Sequence, residues 1–388
     1  MSKNIRNTMV VAGMVVIALI LTACGSRPSQ APSPASASYA ATELRVLDTF
    51  SLPSTTLSLV ALSPDGSRTL LRESVAGEEK WCIYTLDGVT PTQDDELCLQ
   101  PDEEPGLEAK FVDWDNAVWS PDGGRLAFTE LAGRETDLWV LDTSSGQLNN
   151  LTDDGISGDV FPLTQDNPAI EFTLDTYPAW AADGKSLFFA RSWYRNGNWE
   201  GTTIARISVK GGQPETLLTV SDAPGAVRGL IRFGPADRLV YLVSDPDPES
   251  PNSGLWMTEG DGKSPQRIVK TGDEKWFQLR QVSAGGEQAL ILDLQRLNLK
   301  VLDLSDGEIR PLKEQSIVYN ATFSPDGSKI LYSDKTQNGE NALLVHDRAG
   351  SEENILYTLT GPTSSLVWAN NDVLLVGNSL LVQVGGEE

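Results

Sequence analysis

The sequence of 388 residues has a single histidine, His346, and only three cysteines. A Ser-His-Asp triad would have to use that one histidine, and no G-x-S-x-G motif is present. A metal site built from several histidines is excluded by their number. The sequence therefore predicts neither of these catalytic sites, and it predicts no metal and no cofactor.

Basic side chains are also scarce, because 30 lysines and arginines face 54 aspartates and glutamates, which gives a net charge of -24. Such a surface repels phosphate backbones, so we expect no nucleic acid partner. Carboxylates are so abundant that some pair will lie at glycosidase-like separation by chance. A carbohydrate-active enzyme that uses carboxylates is therefore the alternative to any non-catalytic function.

Long apolar runs are missing except near the N-terminus. Lys3 and Arg6 precede an uncharged apolar run from Met9 to Leu21, which is short for a membrane span and typical of a signal peptide. The run ends in Leu-Thr-Ala-Cys, which resembles a bacterial lipobox, where cleavage before the cysteine exposes its thiol for lipid attachment. We predict a signal peptide over residues 1–23 and lipidation of Cys24. An ordinary secretory signal or a membrane anchor is the alternative.

The segment that follows is rich in Ser, Ala and Pro and has no large aliphatic side chain. This composition predicts a flexible tether over residues 24–41, which leaves residues 42–388 as the folded part. A lipid on the cysteine would hold the protein at a membrane. We expect an extracytoplasmic location, in the periplasm or at the outer membrane, or on the outer face of the cell membrane.

The other two cysteines, Cys82 and Cys98, form an even pair in an oxidising compartment. They fall on neighbouring strands of one predicted hairpin, so a disulfide between them would close that loop. The chain-entropy estimate for a loop of this size is about 3 kcal/mol. Two buried free thiols are the alternative.

One phrase recurs along the chain: an apolar strand, the turn Ser-Pro-Asp-Gly, and a second apolar strand. Proline fixes the φ angle at the second position of the turn, and the aspartate side chain accepts hydrogen bonds from backbone N–H groups that follow it. Glycine tolerates a positive φ. The phrase therefore predicts a β-hairpin. Clear copies centre on Asp65, Asp122 and Asp326. Degraded copies centre on Asp183, Ala236, Gly285 and Asn371.

A second hairpin follows most copies, so each repeat contains four short strands; we number the repeats 1 to 7 in chain order. Four antiparallel strands that recur about every 40 to 60 residues predict an all-β fold, a β-propeller. We predict seven four-stranded blades, with six as the alternative if one degraded phrase is misread. Repeat 7 has only three strands, and we expect the lone N-terminal strand in residues 42–52 to join this C-terminal blade and close the ring.

The Ser-Pro-Asp-Gly phrase follows Trp or Phe in two of its three clear copies, and Leu-Trp-Val-Leu-Asp and Asn-Asn-Leu-Thr occur downstream. Together these residues resemble the WD-repeat-like propeller of the TolB family over nearly all of residues 42–388. The resemblance implies an extracytoplasmic propeller that binds other proteins at the cell envelope. TolB has a separate N-terminal α/β domain, fewer blades and a plain signal peptide, so its own partners are not transferred.

Strand alternation places the irregular connections on one face of such a propeller, and long loops with aromatics and arginine are typical of recognition surfaces. We predict an exposed tip at the hairpin of repeat 3, and packing between blades is the alternative for each tryptophan. The ligand-face candidates are Trp193, Tyr194, Arg195 and Trp199, with Trp114 and Trp276 in other connections. Trp119, Trp180 and Trp368 occupy the apolar position before the turn, which predicts that they lie in the core.

These observations lead to one expected function. We expect a lipid-anchored extracytoplasmic β-propeller that binds a protein or an envelope polymer and is not an enzyme.

Overall fold

The computed structural model describes residues 44–52, 57–75, 78–99, 112–113, 116–132, 135–153, 171–195, 198–221, 226–244, 250, 252–269, 277–313, 317–348, 353–370 and 372–386. Over these ranges the regular structure is β-strand, which confirms the all-β prediction. No helix in the described part is long and apolar enough to cross a bilayer. The predicted signal peptide, Cys24 and the tether lie outside these ranges, as do Trp114 and Trp276.

The strands follow the repeats predicted from the sequence. β1 (Arg45–Ser51) precedes repeat 1. Repeats 1 to 3 contain β2 (Leu57–Leu62), β3 (Arg68–Val75), β4 (Glu78–Asp87), β5 (Thr90–Leu99), β6 (Val118–Trp119), β7 (Arg125–Ala132), β8 (Glu135–Asp142), β9 (Leu148–Asn150), β10 (Glu171–Trp180), β11 (Ser186–Arg195), β12 (Asn198–Ser208) and β13 (Glu215–Ser221). Repeats 4 to 7 contain β14 (Ala226–Phe233), β15 (Arg238–Ser244), β16 (Gly254–Thr258), β17 (Gln266–Val269), β18 (Phe277–Val282), β19 (Gln288–Asp293), β20 (Asn298–Asp303), β21 (Ile309–Pro311), β22 (Ala321–Phe323), β23 (Lys329–Lys335), β24 (Asn341–Asp347), β25 (Glu353–Thr358), β26 (Leu366–Trp368), β27 (Val373–Val376) and β28 (Leu380–Gly385).

Each repeat forms antiparallel sheet pairings in chain order. Repeats 1, 4, 5 and 6 are separate four-stranded sheets, and repeats 2 and 3 are joined by one parallel bridge between Thr136 and Leu174. The last sheet has the order β1-β28-β27-β26, so the N-terminal strand pairs with the C-terminal one. Phe50 lies opposite Leu381 in that pairing. The sheets thus resemble the blades of a propeller.

The Ser-Pro-Asp-Gly turn forms the hairpin that its residues predict. In repeat 2 the Ser120 hydroxyl donates to Asp122 Oδ1 (2.6 Å), and the Gly124 N–H donates to the same oxygen (3.1 Å). Gly123 adopts a φ of 68°, a conformation that glycine reaches at little cost. The aspartate of the turn thus accepts its hydrogen bonds from adjacent residues of the same turn.

Apolar clusters fill the spaces between consecutive repeats. Repeats 1 and 2, for example, share a cluster that contains Leu70 and Trp119. A further cluster joins Tyr84 of repeat 1 to Leu381 of repeat 7. Burying each such side chain stabilises the fold by about 1.5 to 3 kcal/mol. Trp119, Trp180 and Trp368 are buried, which confirms the prediction that they belong to the core.

Alternating strand direction gives the sheets two different ends. The hairpins after the first and third strands of each repeat lie at one end, which we call the turn face. The hairpin after the second strand and the connection to the next repeat lie at the other end, which we call the loop face. On the turn face Arg68 Nη1 donates to the Gly123 carbonyl (3.3 Å), and Arg125 Nη1 donates to that of Gly184 (3.3 Å). Neighbouring turns are therefore bonded to each other.

Cys82 and Cys98 lie directly opposite each other on β4 and β5. A disulfide joins them, as the sequence predicted. Cys82 is fully buried, so the bond holds the outermost strand of repeat 1 against the interior of its sheet.

Candidate ligand-binding site on the loop face

Three aromatic rings pack together where β10, β11 and β12 reach the loop face. Phe172 stacks on Tyr194 with ring centroids 4.6 Å apart and an interplanar angle of 6°. Trp199 packs against Tyr194 at 5.0 Å and 59°. The strand register causes this arrangement, because Tyr194 lies opposite Phe172 on one side and Trp199 on the other. Tyr194 is thereby fixed between two rings.

The predicted residues of this hairpin do not form one exposed tip. Trp193, Tyr194 and Trp199 are partly buried, whereas Arg195 is exposed. Phe189 of β11 packs toward repeat 2 and Phe188 toward repeat 4, so by alternation Trp193 faces repeat 2 and Tyr194 faces repeat 4. The structure brings Tyr194 and Trp199 together and leaves Trp193 on the other side of the sheet. Their contact with a ligand stays a prediction.

The exposed arginine of this hairpin is paired with two carboxylates. Arg195 Nε donates to Glu171 Oε1 (2.8 Å), and Arg195 Nη1 lies 3.5 Å from Glu200 Oε2. Exposed pairs of this kind contribute about 0 to 1 kcal/mol, because water and salt screen them.

A second arginine pair lies deeper between the same strands. Arg191 Nε and Nη2 donate to the two oxygens of Asp175 at 2.7 and 2.6 Å. Asp175 is fully buried, and it lies directly opposite Arg191 in the register. Removing one partner of a buried pair costs about 3 to 5 kcal/mol, because the other charge is left uncompensated. The pair therefore fixes how β10 and β11 align beneath the aromatic rings.

Tyr177 has an unusual backbone conformation on the first strand of repeat 3. Its φ is 57°, a region that costs a bulky residue about 1 to 3 kcal/mol. The β10–β11 pairing is irregular between Thr176 and Ala179, which leaves Tyr177 out of the ladder. Burial raises the pKa of the Tyr177 phenol, and Asp113 raises it further, while Arg228 acts in the opposite direction.

Arg228 comes from the corresponding first strand of repeat 4. The β14–β15 register shifts between Val227 and Leu230, so Arg228 also leaves the ladder. A Cβ on Gly229 would lie 3.2 Å from the Leu279 Cβ, which shows how closely β14 approaches β18. Burial raises the pKa of the Tyr194 phenol and the nearby Arg228 lowers it. Sequence reasoning missed Arg228, because no motif marks the strand that carries it.

The sole histidine lies elsewhere. His346 is buried in β24, with its Nδ1 2.6 Å from the Asp347 carbonyl oxygen and its ring 5.5 Å from that of Tyr332. Burial lowers the pKa of His346, so the ring is neutral near pH 7. In the described part of the chain no group of three or more His, Cys, Asp or Glu could hold a metal ion.

Four-stranded antiparallel sheets that pack face to face in succession define the class of this protein as a β-propeller. No family model and no curated protein matches the sequence. Solved propeller structures do match the fold. An oligogalacturonate lyase in complex with manganese is 11% identical, with 89% of this chain and 98% of that chain covered and a TM-score of 0.56.

Two further solved structures show the same likeness. The oligogalacturonate lyase of Vibrio parahaemolyticus is 11% identical, with 88% of this chain and 98% of that chain covered and a TM-score of 0.56. A prolyl endopeptidase is 16% identical, with 86% of this chain and 50% of that chain covered and a TM-score of 0.53. At such low identities these similarities establish the fold alone.

Proposed function

We propose that the chain is a seven-bladed, TolB-like propeller in which β1 closes the ring. The pairing of β1 with β28 supports this, because it gives the last sheet its fourth strand. The apolar cluster between repeats 7 and 1 supports it as well, because it resembles the clusters between the other consecutive repeats. Closure through both ends of the chain leaves no open edge for unwanted strand pairing.

We further propose that the protein is lipid-anchored outside the cytoplasm and presents its loop face to a partner. β1 runs from the turn face to the loop face, because Arg45 lies opposite Gly385 at the turn end of β28. A tether ahead of β1 therefore joins the body at the turn face. With the tether joined at the turn face, the loop face stays free for a protein or envelope polymer to bind.

The observation that carries a binding function is the contrast between the two ends of repeat 3. At the turn face its polar groups are engaged with neighbouring repeats, as when Asp237 accepts the Ala182 N–H (2.7 Å). At the loop face the same strands carry aromatic rings and an exposed arginine. Recognition surfaces are enriched in such residues.

A comparison of variants in a pull-down from envelope extracts tests this proposal. We expect Trp193→Ala/Trp199→Ala to lose a partner that the unaltered protein recovers. Asp261→Ala/Lys263→Ala, which removes an exposed pair at the turn face, is the matched control and should recover it fully. Equal recovery by both variants, with unfolding transitions that show both are folded, would remove the repeat 3 hairpin from the binding surface.

The alternative function is that of a carbohydrate-active enzyme, to which the fold similarity with oligogalacturonate lyases is relevant. At the loop face of repeat 3 the carboxylates of Glu171, Asp175 and Glu200 are each paired with an arginine, which favours binding over acid–base catalysis. Turnover of a cell-wall or plant glycan that disappears when one carboxylate is changed to its amide would favour the enzyme instead.

A further inference from the structure

Three large apolar side chains are exposed on the loop face of repeats 5 and 6. Leu297 lies in the hairpin between β19 and β20 and is 50% exposed. Ile317 (54%) and Tyr319 (53%) lie in the connection from β21 to β22. We call these three residues the apolar patch. Single exposed apolar residues are ordinary, whereas a group of them at one place marks an interaction site.

Two hydrogen bonds bring the connection against the hairpin. The Leu299 N–H donates to the Val318 carbonyl (2.8 Å), and the Val318 N–H donates to Asn298 Oδ1 (2.9 Å). Val318 is fully buried in the cluster that contains Leu299, whereas its two neighbours in the chain are exposed. Leu297 directly precedes Asn298, so the exposed residues of the two segments lie side by side.

The backbone beneath the apolar patch is held in place at both segments. Asp293 Oδ1 accepts the N–H groups of Gln295 (3.0 Å) and Arg296 (3.1 Å), which fixes the hairpin turn. At the end of the connection Asn320 Nδ2 donates to the Thr363 carbonyl (2.6 Å) between repeats 6 and 7. A surface that is already held in one conformation loses little entropy when a partner binds.

Leu297 has a backbone conformation that its side chain does not favour. Its φ is 51°, in the left-handed region that glycine and asparagine adopt more readily than leucine. Either of those residues would form the turn at a lower cost and would expose less apolar surface. Folding alone therefore does not account for the leucine, and costs of this kind are typical of functional sites.

The charge of the chain distinguishes among partners for the apolar patch. Next to the patch Asp293 is paired with both Arg296 and Lys300, whereas the chain as a whole carries a net charge of -24. A second copy of the chain carries the same charge and is repelled, and so is an anionic lipid surface. A protein segment with lysine or arginine beside its apolar side chains is attracted instead.

We propose that the apolar patch binds a segment of a partner protein in which large apolar residues are flanked by lysine or arginine. This rests on the proposed binding function of the loop face and names the chemistry of the partner. The apolar residues of the segment cover the patch, and the removal of apolar surface from water supplies most of the affinity. The basic residues remain at the rim, where the acidic protein attracts them.

A selection of short random peptides, displayed on phage, against the purified protein tests this proposal without a known partner. We expect the selected peptides to carry several large apolar residues and a net positive charge. Synthetic copies with a fluorescent label are then titrated with the protein, and their anisotropy gives the affinity. Selected peptides that lack apolar residues, or that carry a net negative charge, would contradict the proposal.

Two variants that replace an exposed isoleucine by threonine give the matched comparison. Ile317→Thr should weaken binding of the selected peptides roughly 10-fold or more, because an apolar contact within the patch is lost. Ile355→Thr makes the same change on β25, the outermost strand of repeat 6, where the side chain is 60% exposed. It should change the affinity by less than about twofold. Equal affinities of the two variants would overturn the proposal.

Leu297→Asn separates binding from folding. Asparagine suits the φ of 51°, so the midpoint of denaturant unfolding should stay the same or rise. Peptide binding should nevertheless fall roughly 10-fold, because apolar surface is removed from the patch. A lower midpoint together with an unchanged affinity would show that Leu297 has a structural role only, and would remove it from the binding surface.

Two further measurements test the other occupants of the patch. Size-exclusion chromatography of the unaltered protein and of Ile317→Thr detects a dimer. Sedimentation with vesicles of phosphatidylcholine and phosphatidylglycerol detects lipid binding. We expect no difference between the two proteins in either measurement. A dimer, or vesicle binding, that Ile317→Thr abolishes would assign the patch to a second copy or to a lipid surface and would overturn the proposal.

The apolar patch and the repeat 3 hairpin can fail separately. The Trp193→Ala/Trp199→Ala variant leaves the patch intact, so we expect it to bind the selected peptides as the unaltered protein does. A loss of these peptides in that variant, with Ile317→Thr unaffected, would place their binding at the repeat 3 hairpin and contradict the proposal. Recovery of an envelope partner in the pull-down is a different readout, and its failure leaves the peptide affinities as they are.

Discussion

The turn face and the loop face are built from the same strands and differ in how their polar groups are used. At the turn face Asp65 and Asp122 accept hydrogen bonds from their own turns, and Arg68 reaches the next repeat. At the loop face Phe172, Tyr194 and Trp199 pack as aromatic rings, and the exposed Arg195 pairs with Glu171 and Glu200 of its own repeat.

This difference teaches where stability and recognition are located. Local hydrogen bonds and inter-repeat contacts make the turn face a framework that tolerates little change. The loop face departs from regular pairing, and such departures persist where the surrounding structure holds them. We therefore expect changes at the turn end to affect the free energy of unfolding, and changes at the loop end to affect binding.

The largest effect should come from the tryptophan at the turn end of repeat 3. Trp180 is fully buried, and its Nε1 donates to the Val118 carbonyl (2.9 Å). Trp180→Ala should lower the free energy of unfolding by about 3 to 5 kcal/mol, because it leaves a cavity and removes a buried hydrogen bond. Trp193→Ala, at the loop end of the same sheet, should cost about 1 kcal/mol. Denaturant unfolding measures both, and similar losses would contradict the division between the two faces.

A substitution in the turn of repeat 7 should raise the free energy of unfolding, by less than Trp180→Ala lowers it. Asp372 has a buried Oδ1 without a hydrogen bond in the described structure, and burial raises its pKa to about 6. The folded state keeps this proton to a higher pH than the unfolded chain, so stability falls as pH rises from about 4 to 6. Asp372→Asn removes the buried charge. The backbone at position 372 has a φ of 65°, which asparagine adopts more readily than most residues.

We expect Asp372→Asn to stabilise the protein by about 1 kcal/mol at pH 7.5, after allowance for partial exposure, and to have little effect at pH 4. Thermal unfolding at the two pH values measures this difference. Asp261→Asn is the control, because its exposed carboxylate is paired with Lys263 and its replacement should not stabilise. A gain that is equal at both pH values would show that the buried charge is not its cause.

The smallest changes in the free energy of unfolding are expected when one arginine from each face is replaced by glutamine. Arg68 Nη1 donates to Gly123 and to the Thr143 hydroxyl of the next repeat, so Arg68→Gln should cost about 1 kcal/mol. Among the residues that the structure describes, Arg195 pairs with carboxylates of its own repeat, so Arg195→Gln should cost less than about 0.5 kcal/mol. Denaturant midpoints at low and high salt measure both. A larger loss for Arg195 would show that the loop face contributes more to stability than we infer.

Much of the fold was predictable, because its signals are local. The turn around Asp122 is specified by four adjacent residues, and the apolar position before it predicted the burial of Trp119 and Trp180. Hairpin register also predicted that Cys82 and Cys98 would meet, since both lie in one β-hairpin.

The candidate site was predictable only in part. The sequence singled out Tyr194 and Trp199, but it predicted an exposed tip where the structure has a partly buried stack. Phe172 was missed because it lies more than twenty residues away and reaches Tyr194 only through strand register.

The amino-acid sequence by itself determined the repeats, their hairpins and the apolar faces, because turn chemistry and alternation act between residues that are close along the chain. Only the tertiary structure decided which side chains meet between sheets, as where Tyr177 of repeat 3 packs against the cluster that contains Val227 of repeat 4. Their positions depend on how one sheet packs against the next, and that packing sums many weak contacts between residues far apart in the chain.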